Sequence, residues 1–126
     1  MATVRYLVTD VERSIAFYAE NLGFKLDQSM APAFARVSTA DLTLWLAGPQ
    51  SSAARAMPDG RRPEPGGWNR FVIEIGNIEA HVEEMKRAGL RFRNELVTGP
   101  GGKQILLEDP DGNVVELFEP ARQPSP

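Results

Sequence analysis

The chain has no cysteine, which removes disulfides, thiolate metal sites and cysteine nucleophiles together. It has a single histidine, His81, so a site built from several histidines cannot come from one copy. Basic residues are not in excess. Fourteen Lys and Arg against 17 Asp and Glu give a net charge of −3 with no Lys/Arg block, which argues against nucleic acid as a partner. No apolar run approaches the roughly 18 residues of a membrane span, and the start lacks the basic, apolar and small-residue order of a signal peptide. A cytoplasmic protein without membrane contact is the expectation. What is present is ordinary for a globular chain: 126 residues with 42% hydrophobic content make one domain with a real core.

The most informative stretch is Gly101–Pro120, GGKQILLEDPDGNVVELFEP. It reads as a β-hairpin, with an apolar run at Ile105, Leu106 and Leu107, a turn over Asp109-Pro110-Asp111-Gly112-Asn113, and a strand from Val114 to Phe118. Glu116 sits in that strand between Val115 and Leu117, so alternation turns its carboxylate to the opposite face. A carboxylate on the inner face of a sheet needs a cation, a metal or water.

Taken in order, residues 2–8 alternate as a strand, with Val4, Tyr6 and Val8 on one face. Asp10 is placed to N-cap a helix whose stripe is Val11, Ile15, Tyr18 and Leu22, closed by Gly23. Three strands follow over Phe24–Gln28, Phe34–Ser38 and Leu42–Ala47. This first module covers about residues 1–48. Residues 49–67 lose all periodicity, carrying Pro49, Pro58, Pro63 and Pro65, Gly60, Gly66 and Gly67, and Arg55, Arg61 and Arg62. They form a linker or a loop over a site.

The pattern then returns over residues 68–120: a strand from Trp68 to Ile75, Asn77 as N-cap, a stripe of Ile78, Val82 and Met85, Gly89 as C-cap, and strands over Leu90–Leu96, Lys103–Glu108 and Val114–Phe118. Setting Asp10 on Asn77, an offset of 67, brings Val4, Tyr6, Val8, Val11 and Ile15 onto Phe71, Ile73, Ile75, Ile78 and Val82. The chain is an internal duplication of a βαβββ unit. The fold class is α+β: two such modules form a curved mixed sheet around a concave pocket. If the coinciding apolar residues face the helices, Thr3, Arg5, Arg70, Val72 and Glu74 point inward, as do Thr43, Trp45 and Ala47 and then Val114, Glu116 and Phe118. The proline-rich tail, residues 121–126, is expected to be disordered.

Three stretches, TDVERSIAFYAENLGFKL, EAHVEEMKRAGL and EDPDGNVVELFEP, resemble the vicinal oxygen chelate superfamily, which holds glyoxalase I, bleomycin resistance proteins and extradiol dioxygenases. The resemblance implies the glyoxalase/bleomycin resistance fold and, as is common in the family, a homodimer. It also implies that a metal, where members carry one, is held by the first and last strand of each module. Those positions hold Thr3, Trp45, Arg70 and Glu116 here, of which only Glu116 suits a metal. No metal and no other cofactor is therefore expected. Instead, Arg70 is expected to ion-pair with Glu116, with Glu74 on the same row as a competing acid.

Two activities remain open on these residues, so whether the protein is an enzyme is left undecided. The first is a metal-free protein that binds a small organic ligand, amphipathic or cationic, by aromatic stacking and Arg/Glu contacts. Its binding set is Thr3, Arg5, Trp45, Arg70, Glu74, Val114, Glu116 and Phe118. The alternative is a lyase or isomerase of glyoxalase type with Glu116 as base and Arg70 as oxyanion stabiliser. A third use of the fold, as a bare interaction scaffold, is a further option. Trp68 reads as a pocket rim or, the favoured reading, as the plug that seats the loop, and His81 as a solvated residue on the outer helix.

Overall fold

The computed structural model describes residues 2–122. Two compact units emerge, one built from the chain up to Gly66 together with Pro110–Asn113, the other from Gly67–Asp109 together with the chain from Val114 onward. The expected disorder of residues 121–126 falls, from residue 123, outside the described residues. Ala121 itself is tied down, its N–H donating to the Gly101 carbonyl at 2.9 Å.

In the first unit, β1 (Ala2–Leu7), α1 (Val11–Leu22), β2 (Lys25–Met30), β3 (Phe34–Ser38) and β4 (Leu42–Ala47) follow the expected order. The sheet runs β1-β4-β3-β2, with β1 parallel to β4 and the other pairs antiparallel. Asp10 caps α1 as expected, its carboxylate accepting from the Arg13 N–H at 3.1 Å. The helix, however, buries Val11, Ser14, Phe17 and Tyr18. Its face is rotated from the expected stripe because Phe17 and Tyr18 make an edge-to-face cluster with Phe24, and the Ser14 hydroxyl is satisfied by the Asp10 carbonyl.

Residues 49–67 are not a free linker. A short 3₁₀ turn at Ser52–Ala54 is fastened by the Ser51 hydroxyl on the Gly48 carbonyl at 2.7 Å. Gly48 is required there, since a Cβ would meet the Pro32 carbonyl oxygen at 2.4 Å. The loop lies over the end of β1 and β4, where Leu7, Ala47, Ala54, Arg62, Pro63 and Pro65 line a hollow of about 190 Å³.

The hairpin tip at Pro110–Asn113 belongs to this same unit. Asn113 is 4% exposed; its Oδ1 accepts from the Gly66 N–H and its Nδ2 donates to the Leu7 carbonyl, both at 2.8 Å. Asp111 accepts from both the N–H and the hydroxyl of Thr9 and pairs with Arg13 at 3.3 Å. Turn residues chosen for backbone shape thus also serve as connectors.

The second unit holds β5 (Arg70–Glu74), α2 (Ile78–Arg87), β6 (Arg91–Phe92), β7 (Val97–Gly99), β8 (Gly102–Glu108) and β9 (Val114–Pro120). Its sheet runs β5-β9-β8-β6, with β7 also on β8. Four expectations are corrected. The single strand over Leu90–Leu96 is two short ones, because the Asn94 side chain accepts the Leu106 N–H at 3.0 Å and interrupts the ladder. The strand expected from Trp68 starts at Arg70. Asn77 stands at the N-cap position but in a left-handed conformation with no side-chain bond; the Glu119 carboxylate, from β9, accepts the Ile78 N–H instead at 2.7 Å. Gly89, at φ 86°, follows the helix rather than capping it, and the Gly89 and Leu90 N–H groups close a Schellman motif on Lys86 and Met85.

Of the coinciding apolar positions, Tyr6, Val8 and Val11 in the first unit and Phe71, Ile78 and Val82 in the second are buried, while Val4, Ile15, Ile73 and Ile75 are only half-buried. On the surface, Glu79 hydrogen-bonds Lys103 and holds its amine above the usual range. That contribution is complete below the ordinary lysine range and fades only as alkaline pH strips the amine. Among the described residues no helix is long and apolar enough to cross a membrane.

Replacing Asn113 by Ala strands the Leu7 carbonyl and the Gly66 N–H together. Urea unfolding is expected to show a loss of about 2 kcal/mol or more, whereas Arg61→Ala, which removes only the exposed pair with Asp59, should leave the midpoint essentially unchanged.

Candidate functional site

In the second unit, β5 and β9 pair in parallel with Arg70 opposite Val114, Val72 opposite Glu116 and Glu74 opposite Phe118. These six residues therefore share one face, as alternation requires. Glu116 is 8% exposed, yet it is not an isolated charge. Arg70 donates through Nε at 3.0 Å and Nη2 at 2.9 Å, both to Oε1. The expected ion pair is present, reaching diagonally across the two strands. Glu74 does not compete: it is exposed, with no partner among the described residues. A carboxylate withdrawn this far from water would cost several kcal/mol unpaired, and the guanidinium offsets that cost. Since both bonds land on Oε1, Oε2 has no donor among the described residues.

A second ion pair lies on the same face. Glu108 and Leu106 of β8 stand opposite Val114 and Glu116, and Arg93, whose N–H bonds the Leu106 carbonyl, reaches Glu108 Oε2 through Nε at 3.0 Å. The two arginines also grip neighbouring carbonyls: Arg93 Nη1 donates to Gly67 at 2.6 Å and Arg70 Nη1 to Trp68 at 3.2 Å. The Arg93 guanidinium carbon lies 4.5 Å from the centre of the Trp68 ring. Reading the sequence for a site left out Arg93 and Glu108 and favoured Trp68 as a plug over a pocket rim. The signal for the first two existed, because Arg91-Phe92-Arg93 and Ile105-Leu106-Leu107-Glu108 alternate and place Arg93 and Glu108 on the Glu116 face. Nothing in the sequence marks Trp68 as held by both.

In the first unit, the row containing Thr3, Arg5 and Leu7 pairs with Thr43, Trp45 and Ala47. Thr3 is exposed. Arg5 has no acid partner among the described residues and sits over the Trp45 ring at 4.9 Å, while Phe34 meets that ring edge-on at 5.7 Å. Trp45 Nε1 and Arg36 Nε, on register neighbours, are both buried without a partner among the described residues. Arg36 is otherwise directed to Gln28 by its Nη2. Of the remaining expected ligand contacts, Val114 is 1% exposed, so Glu116 and the half-buried Phe118 carry the accessible surface of the β9 row. His81 is exposed on α2 with its Nδ1 at 3.1 Å from the Asn77 carbonyl.

A model of the Glyoxalase/Bleomycin resistance protein/Dioxygenase superfamily matches residues 1–117. The chain belongs to this family. It is similar to a probable chloroplastic lactoylglutathione lyase of Arabidopsis thaliana, 29% identical over 135 residues that cover 100% of this chain and 37% of the plant protein. The chain thus spans little more than a third of that relative. A lactoylglutathione lyase from Agrobacterium tumefaciens superposes with a TM-score of 0.73 at 18% identity, over 94% of this chain and 92% of that one, a likeness of fold. TnmS3, an antibiotic binding protein from Streptomyces sp. CB03234, superposes with a TM-score of 0.70 at 26% identity, over 94% and 93% of the two chains.

The metal that the glyoxalase family implies does not fit the residues found. In the first unit Thr3 is a poor ligand and the indole of Trp45 is a donor without a lone pair. In the second, Arg70 puts a permanent positive charge on the one carboxylate, Glu116, that suits a metal. Among the described residues no three His, Asp or Glu side chains gather to hold an ion.

The Arg70–Glu116 side chains are 30% and 11% exposed, so their mutual dependence is read by a double-mutant cycle in urea. Arg70→Met, which leaves Glu116 unpaired, is expected to cost about 1–3 kcal/mol after allowing for that exposure. Arg70→Met with Glu116→Leu should cost clearly less than the two single changes added together.

Proposed function

We propose that this protein binds a small organic ligand without a metal, holding it by aromatic stacking and by arginine and glutamate contacts on a sheet face such as the one that carries Arg70 and Glu116. The observation that carries the reading is the double hydrogen bond of Arg70 to Glu116 Oε1, which puts a guanidinium where a cation would be needed. Aromatic side chains flanked by arginine in each unit, Trp45 beside Arg5 and Trp68 beside Arg93, support recognition by stacking rather than chemistry. The similarity to an antibiotic binding protein supports the same class of activity. The protein acts in the cytoplasm as a homodimer on this reading; exposed Leu26 and Met30 on edge strand β2 and Val72 on edge strand β5 favour pairing of copies.

One feature favours the lyase or isomerase reading of the same residues: Glu116 Oε2 is free to take a proton from a carbon beside a carbonyl, with Arg70 near the oxygen that becomes negative. The name of the Arabidopsis relative points the same way. Without a metal to polarise the carbonyl, Arg70 alone must stabilise the enolate, and it is already engaged at three atoms.

Elemental analysis of purified protein is expected to return well under one equivalent of Ni, Zn, Fe or Mn, and a stoichiometric metal would overturn the proposal. A thermal-shift screen of aromatic and cationic metabolites and antibiotics should then raise the melting temperature with at least one compound. Trp45→Ala is expected to abolish or sharply reduce that shift.

A further inference from the structure

Trp68 is the most exposed of the large apolar side chains among the described residues, at 67%. An exposed ring on a loop is ordinarily free to move, and this one is restrained from several sides. Gly66 and Gly67, at φ of 102° and 92°, turn the chain into it through a conformation that side chains rarely adopt. Arg93 bonds the Gly67 carbonyl and Arg70 the Trp68 carbonyl. Each arginine is itself anchored on a sheet carboxylate, Glu108 or Glu116. The Arg93–Glu108 side chains are only 18% and 23% exposed, so the clamp is a built feature and not a solvated surface pair. Arg93 covers one face of the indole. Glu116 Oε2 has no donor among the described residues.

We infer that Trp68 is a preformed stacking site for a flat aromatic ligand carrying an amino or hydroxyl group on its edge. The ligand ring lies on the indole face away from Arg93, and its edge donor pairs with Glu116 Oε2. One guanidinium, that of Arg70, touches both the Trp68 carbonyl and Glu116 Oε1, so the backbone that carries the stacking ring and the accepting carboxylate are held by the same side chain. Because the ring is held before the ligand arrives, little ordering cost falls on binding. Arg93 is a positioning residue: it fixes the indole through the guanidinium stack and the Gly67 bond. Trp45 differs, being half-buried and already flanked by Arg5 and Phe34. The inference deepens the small-molecule reading and rests on it.

The test uses the complete chain. The chain has two tryptophans, so the emission of the unaltered protein less that of Trp68→Ala reports Trp68. Titration of the unaltered protein with 9-aminoacridine, a flat aromatic amine, is expected to quench that difference to saturation. By calorimetry Trp68→Ala should weaken binding of the probe about tenfold, the loss of one aromatic stack with its buried area. Cyclohexylamine, an amine without an aromatic ring, should not bind. In the absence of any probe, Arg93→Met should raise the acrylamide quenching of Trp68, and Arg93→Lys should restore part of its protection. Quenching that never saturates, or affinity for 9-aminoacridine unchanged by Trp68→Ala, overturns the inference. If screened compounds instead lose their thermal shift in Trp45→Ala and keep it in Trp68→Ala, the small-molecule reading survives and the Trp68 site does not.

Discussion

The second unit is arranged around a carboxylate that water cannot fully reach. Glu116 occupies the middle of β9, where its strand neighbours Val115 and Leu117 are completely buried on the helix side. A charge there must be compensated, and Arg70 compensates it from the adjacent parallel strand. That choice determines what surrounds it. The guanidinium also donates from Nη1 to the Trp68 carbonyl, so satisfying the acid also shapes the loop that enters the sheet. Arg93 and Glu108 repeat the device on the same face with the carbonyl one residue earlier. Two ion pairs are thus used less as isolated stabilising contacts than as fixed arms that position backbone and an aromatic ring.

A related economy governs the hairpin tip. Asp109-Pro110-Asp111-Gly112-Asn113 has the residues a tight turn demands, and the side chains of two of them reach outward to satisfy other segments of the first unit. Asn113 pairs one carbonyl and one N–H that would otherwise be buried and orphaned, on the end of β1 and the end of the long loop. The loop over 49–67 is therefore held at its far end by a residue more than 40 positions later in the chain, which is why its composition alone suggests only a linker or a cover.

The duplication shows how one scaffold accepts different chemistry. The register that sets Arg5 opposite Trp45 in the first sheet sets Val72 opposite Glu116 in the second, so Trp45 and Glu116 are equivalent places. One was filled with an indole partnered by a cation over its face, the other with a carboxylate partnered by a cation at its edge. The helix-side positions, by contrast, kept the same apolar character in both halves, since packing against α1 or α2 tolerates little else.

Much of this was legible in the residues themselves. Period-two and period-3.6 patterns are local, and they determined the βαβββ order, the Asp10 cap, β3 and β4 to the residue, and the sharing of one face by Arg70 and Glu116, while the choice of Glu116 over Glu74 as the partner of Arg70 was made by the structure. Tertiary structure decided the rest. Glu119 replaced Asn77 as the cap of α2, Asn94 cut a strand in two, Phe17 turned α1 by a fraction of a turn, and Arg93 with Arg70 fixed an exposed Trp68. In each of those cases a side chain satisfies a backbone group or packs against a ring from a distant part of the chain. Local periodicity carries no information about which distant partner arrives, because that depends on how strand pairing and loops within each unit bring remote segments together.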